Sequence, residues 1–584
     1  MNIMTYLVFE DFFSQVEKSG LALPLSCLGD GQVIDDVIKE LISGLDPIEA
    51  ISYSSFWNMI VQHCDPDESA LLGRKELQAV GFGKDIPGNK VFVHRDCLLH
   101  IMSRIIMDGN DGNMRITGGS DRRGTRKYYK SLLLVNSKVN SITGNARQTL
   151  LKDHFIRDYP LSYAPQATST IFKNRLQRYW HIYSQILPSM NKSEREMVSK
   201  GVRALEKDSG LSLKEHYLVL AGVLSWFLIL PVERRKGKNG GTSLGFDYRN
   251  INSFYIRKNN FPDADRLMCL IEYLARDKNC MQEHFAKNRR DAVCGFYRNF
   301  QDFFDRPIFK IDDNSFCVLD LKFFVEGLCS GFLWRIADMA SLQHNLQDLK
   351  GYYGQLLEKY FIFLLDQIFG QNRVHKTPGQ GADAVIETDD YLLLFEFTTE
   401  YYRFASLYNT AVVSFMKDIK RLLFNQGKND PDGREKKDKG KFLKLNEYLN
   451  TSGKQEKEII PILVTENYLG DYDLLNQFDN VLDQGIQKCG LTSIKKHKPL
   501  ILCLDDLEIL WALTNKGEAV GDFVRFFHAW ELTNKGSCLY EFSSFISSQD
   551  NAVIRNDDYL NFFDYSKFWG ELLNEESTPE KRHG

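Results

Sequence analysis

Residues 381–398 read GADAVIETDDYLLLFEFT, and this stretch constrains the fold more than any other. Two runs, 382–388 and 391–398, are rich in aliphatic and aromatic residues and meet at Asp389-Asp390, which predicts two strands joined by a tight turn. Side chains alternate along a strand, so Glu396 and Thr398 share one face while Phe395 and Phe397 point to the other. A strand this apolar has to be covered on both sides, as in an α/β layer. A carboxylate inside it is costly unless it is paired or metal-bound. Asp383 opens the first strand thirteen residues before Glu396, so a hairpin brings two carboxylates to the ends of neighbouring strands.

The flanking sequence supplies the rest of such a layer. Residues 349–369 carry helical spacing and stop at Gly370, and 404–424 is a second helix. Compact apolar strands follow at 458–465 and 500–504, with a helix at 505–514. Strands alternating with helices give an α/β arrangement. Glu358 sits on the edge of the otherwise apolar 349–369 helix, where an acid is either capped by a neighbour or aimed at a cation. Paired carboxylates form a hard, oxygen-rich site that suits Mg²⁺, with Mn²⁺ as the alternative.

This order of a helix with Glu358, a Gly-x-Asp strand with Asp383, a Glu-x-(Lys) strand with Glu396, and the later strand and helix LILCLDDLEIL resembles the PD-(D/E)XK nuclease superfamily over about residues 346–515. The resemblance implies a restriction-endonuclease-like α/β core. It also implies a Mg²⁺-dependent endonuclease cutting phosphodiester bonds of DNA, in a bacterial restriction or anti-phage defence setting. Glu358, Asp383 and Glu396 would hold the metal, with Asp383 and Glu396 catalytic. The family's lysine falls on Thr398, which cannot supply a positive charge. Lys417, Lys420 and Arg403 are the substitutes at hand, Lys417 first because it leads the basic turn of the next helix. If none reaches the site, the domain is instead an inactive nuclease-like fold that binds nucleic acid or a partner subunit. A third reading is a structural subunit of a larger complex, with the basic loops on protein.

The remainder divides, by texture, into a mixed α+β segment 1–165, a mostly helical segment 166–345, the nuclease-like segment 346–530 and a C-terminal extension 531–584, in line with three to four domains for 584 residues. Two basic loops are expected to contact nucleic-acid phosphates: Arg122, Arg123, Arg126 and Lys127 in the first, where Tyr128 and Tyr129 could stack on an unpaired base, and Arg234, Arg235 and Lys236 in the second. Residues 427–444 read as a solvated loop with its own basic residues. The formal net charge of −4 confines any nucleic-acid binding to such patches.

Other chemistries find little support. Eleven dispersed cysteines without a Cys-x-x-Cys pair fit free thiols in a reducing cytoplasm. His94, Cys97 and His100 have helical spacing but no second ligand pair, so buried side chains are expected rather than zinc. GKNGGTS lacks the order of a phosphate loop. The longest near-apolar run, 217–231, is about 22 Å as a helix, short of a hydrocarbon core, so a buried helix and no membrane association are expected. The opening MNIMTYLVFEDFF does not resemble a secretory signal. Partners are therefore expected to be nucleic acid, a second copy of the chain or partner subunits.

Overall fold

A computed structural model describes residues 5–6, 31–63, 66–81, 90–91, 93, 95–110, 112–117, 122–140, 168–228, 232–236, 242–246, 255–258, 264–287, 300–330, 349–377, 381–399, 412–424, 440–451, 457–467, 475, 480–514, 518–534, 542–547 and 556–573. The chain is mostly helical, with mixed sheets of four and five strands and two smaller strand pairs. Two compact units form, one from Met1–Phe172 and Glu206–Phe332, the other from Lys173–Leu205 and Leu333–Gly584. The segment 166–345, read as one helical domain, is thus shared between the units, and residues 531–584 belong to the second.

In the first unit, helices Gly31–Ser43, Pro47–His63 and Arg95–Asp108 surround a core that includes Trp57, Ile60 and Ile105. Its mixed sheet runs Ile256–Arg257, Ser315–Val318, Ile308–Asp312, Ala275–Arg276. Arg95 pairs with Asp320 in the interior, at 2.6 Å and 2.8 Å, and Asn58 and Gln62 donate to the same carboxylate. A buried ion pair survives only when its remaining lone pairs are met in this way. Helix α1 (Pro66–Ala79) ends at Gly81, whose φ of +87° suits glycine, and helix α2 (Arg123–Asn140) packs beside that end. Among the described residues no helix is long and apolar enough to cross a membrane; most of 217–231 lies in the helix Leu213–Leu228.

The second unit is built on the five-stranded sheet. Strands β1 (Val374–Lys376), β2 (Ala384–Glu387) and β3 (Tyr391–Thr398) are antiparallel neighbours; β4 (Glu458–Thr465) and β5 (Leu500–Cys503) then add in parallel. Three further helices are α3 (Thr168–His181), of which Lys173 onward belongs to this unit, α4 (Leu349–Phe369) and α5 (Val412–Phe424). Next come α6 (Lys441–Thr451), α7 (Val481–Lys488), α8 (Thr492–Lys496) and α9 (Leu504–Leu513). Alternation on β3 sets the layers. Phe397 stacks on Phe361 of α4, with centroids 5.0 Å apart, and Phe395 meets Phe361 and Phe369. Glu396, between them, turns to the opposite face, where α6 lies. The α4 helix ends as read from sequence, with Gly370 at φ +89°.

Parallel strands and α9 are braced from α3. Arg175 binds Asp505 through Nε and Nη2, and Arg178 bridges Asp505 and Glu508, the latter at 2.6 Å. Tyr360 of α4 donates to the same Glu508 oxygen at 2.8 Å. All of these groups are buried, so each depends on the others for its charge balance.

Candidate active site

The register of the hairpin decides where its acids meet. The ladder between the hairpin strands ends at Ala384 and Phe395, and the Asp383 N–H donates to the Phe395 carbonyl at 2.8 Å, one residue out of that register, which keeps Asp383 beside the end of β3. The Phe397 N–H donates to Asp383 Oδ2 at 2.7 Å and fixes the direction of that carboxylate.

Glu396 is fully buried. Its Oε1 accepts from Lys441 Nζ at 2.9 Å and Lys444 Nζ at 2.8 Å, and Lys441 also donates to the Phe397 carbonyl at 2.9 Å. Its Oε2 is buried and has no hydrogen-bond partner among the described residues. Desolvation raises the Glu396 pKa above the usual carboxylate range; Lys441 and Lys444 pull it back and Asp383 pushes it further up. Glu358, exposed on α4, also stands above its usual range, through partial desolvation and then the charge of Asp383, with Lys441 and Lys444 opposing. Glu358, Asp383, Glu396 and the two lysines therefore share one electrostatic neighbourhood.

Local sequence explains how the lysines arrive. Phe442, Leu445 and Leu449 form the buried stripe of α6, and that stripe turns Lys441 and Lys444, three residues apart, to one side. Gly440 leads into the helix where a Cβ would lie 2.5 Å from the Phe424 carbonyl carbon, so only glycine lets α6 start that close to α5. Gly381 has φ +101°, and a Cβ there would lie 2.6 Å from the Lys444 carbonyl oxygen. The glycine of Gly-x-Asp thus seats the Asp383 loop on the helix that carries the lysines.

Several expectations are corrected here. Residues 441–444, read as the end of a solvated loop, begin a helix; 425–439 lie outside the described residues. Lys417 is exposed on α5, and the ammonium groups that reach Glu396 belong to Lys441 and Lys444 instead. Lys420 is half-buried on α5 and Arg403 lies outside the described residues. No group of three or more His, Cys, Asp or Glu among the described residues forms a ready metal cage, so Glu358, Asp383 and Glu396 are near one another without enclosing a cation. Cys97 and His100 are buried in their helix; His94 lies outside the described residues.

The first basic loop is largely the start of α2. Arg122 donates to the Ala79 carbonyl and Arg126 Nε to the Val80 carbonyl at 3.0 Å, which covers the carboxyl end of α1, where cations are favoured. Arg122, Arg123 and Arg126 are exposed, and Lys127 is half-buried. Tyr128 and Tyr129 offer no stacking surface: both are fully buried, Tyr128 bonded to Ser54 at 2.8 Å and Tyr129 to Tyr53 at 2.5 Å. The helical period carries the two rings into the core of the first unit. Arg234, Arg235 and Lys236 lie on the first strand of a hairpin formed by Val232–Lys236 and Thr242–Phe246.

The donor set suits a hard divalent cation in kind. It offers carboxylate oxygens, one of them buried with no hydrogen-bond partner among the described residues, and Mg²⁺ accepts one or two carboxylates completed by water and phosphate oxygens. Comparison with protein-family models, with curated proteins and with solved structures found no match.

Proposed function

We propose that the second unit is a metal-dependent nuclease of the PD-(D/E)XK type, acting on DNA phosphodiester bonds. The observation that carries this reading is the pair of lysines on Glu396: Lys441 and Lys444 place positive charge where Thr398 withholds it. Asp383 and Glu396 would hold the cation, with Glu358 nearby. When bound there, Mg²⁺ or Mn²⁺ supplies Lewis acidity toward the phosphate and toward a water. The protein does the rest. The Phe397 amide orients Asp383, and burial between strand and helix excludes bulk solvent from Glu396. The ammonium groups oppose the charge that grows on the phosphate oxygens as the bond breaks. Bacterial restriction or anti-phage defence is the setting that goes with this reading.

Incubating the full chain with supercoiled plasmid and Mg²⁺ or Mn²⁺ tests it. Nicking that Asp383→Ala and Glu396→Ala abolish, and that Lys444→Ala reduces by more than tenfold, supports the assignment. A second reading, a nuclease-like unit that binds without cutting, is favoured by the two ammonium groups already seated on Glu396. Retained DNA binding with no cleavage under either metal selects it.

A further inference from the structure

Residues 484–504 contain four lysines and a histidine and no Asp or Glu, within a chain whose formal net charge is −4. Three of the lysines, Lys495, Lys496 and Lys498, are exposed at and just beyond the end of α8, and Lys488 is exposed on α7. The His497 ring between them has its pKa lowered, by burial and by the charge of Lys496. This concentration is held against the helix that serves the candidate site. Asn446 Oδ1 of α6 accepts the backbone N–H groups of Ser493 and Ile494, at 3.1 Å and 3.2 Å, and Ser493 Oγ donates to Asn450 at 2.6 Å. Lys441, Lys444, Asn446 and Asn450 all belong to α6.

Distance along α6 gives the strip its meaning. At about 1.5 Å per residue, Asn446 and Asn450 lie roughly 7 and 13 Å along the axis from Lys441. Phosphates of one strand of duplex DNA recur about every 3.4 Å along its axis, so these offsets correspond to roughly two to four nucleotides. From this juxtaposition we propose that Lys495, Lys496 and Lys498 bind the backbone phosphates of a continuous polynucleotide two to four nucleotides from the bond held at Asp383 and Glu396. The inference rests on the nuclease reading above and deepens it by assigning the side chains that hold the phosphates flanking the bond.

The test is a salt titration of binding with the full chain in chelator, where no cutting occurs. Short duplex DNA and single-stranded RNA serve as separate probes. Each phosphate contact adds about 0.9 to the log–log salt slope on duplex DNA and about 0.7 on a single strand. The Lys495→Gln, Lys496→Gln, Lys498→Gln triple variant should lower the slope by about 2–3 on at least one probe. The corresponding triple arginine variant should keep it. All three lysines face solvent, so an unchanged melting temperature verifies that the variants fold. Equal slopes for wild type and the glutamine variant, or no binding of either probe by wild type at low salt, overturns the proposal. A lowered slope with no cleavage under Mg²⁺ or Mn²⁺ keeps the phosphate strip and removes the nuclease reading. Cleavage lost in Asp383→Ala together with an unchanged slope does the reverse.

Discussion

Lys441 Nζ lies 2.9 Å from Glu396 Oε1 and 2.9 Å from the carbonyl of Phe397, the next residue of the same strand. One ammonium therefore ties the first turn of a helix to both a side chain and the backbone of a central strand. Lys444 reaches the same carboxylate oxygen from one turn further along. Replacing both lysines by methionine leaves a buried carboxylate with neither counter-charge, for which about 3–5 kcal/mol of lost stability is expected. Either single change should cost less, because the other ammonium remains. Adding Glu396→Gln to the double variant should restore more than half of the loss, as urea unfolding in a mutant cycle would show.

Gly381 carries the second expectation. Its positive φ and its close approach to the Lys444 carbonyl both exclude a side chain. Gly381→Ala should cost about 1–3 kcal/mol in thermal unfolding. It should also separate the Asp383 loop from α6. Any nicking activity per folded molecule should then fall by roughly tenfold or more, because displacements of about 1 Å are felt at that scale in catalysis.

His181, packed against Tyr360, Phe363 and Phe562, has its pKa pushed down to about 4 by burial. The unfolded chain takes up this proton near pH 6.5, the folded chain only near pH 4. Stability of the second unit should therefore fall as pH drops through that window, by no more than about 3 kcal/mol from this group. His181→Phe should flatten the fall in urea unfolding followed between those pH values.

Glu76 of the first unit gives the opposite sign. Burial raises its pKa to about 7, against the pull of Arg122. The folded chain keeps the proton that the unfolded chain has already released, so stability should decline as pH rises from about 4.5 to 7. Glu76→Gln should remove the decline. An unchanged slope in the variant would show that another group titrates there.

The legibility of this chain follows the range of the forces involved. The hairpin, α4 and both parallel strands stand out in the sequence because their apolar patterns are local and uninterrupted, and β3 has the bounds that its composition suggests. The α6 helix is hidden because a charged run precedes it and only Phe442, Leu445 and Leu449 mark its buried side. The partners of Glu396 were hidden with it. Tyr128 and Tyr129 mislead for a related reason: they follow four basic residues, yet the helix that starts at Arg123 turns both inward. That residues 173–205 go with the second unit is not written in any local pattern, since Arg175 and Arg178 meet their acids at 505 and 508, 330 residues away.

That bracing has a consequence for synthesis. Arg175 leaves the ribosome 330 residues before Asp505. At roughly 5–20 residues per second, it waits about 15–65 s for its counter-ion. During that interval residues 173–205 lack the acids of this brace, while Tyr360 and Phe363 of α4, which pack on His181, are already made. A chain that stops just before 505 leaves both guanidiniums without these acids, so added protease should cut it faster than the full chain.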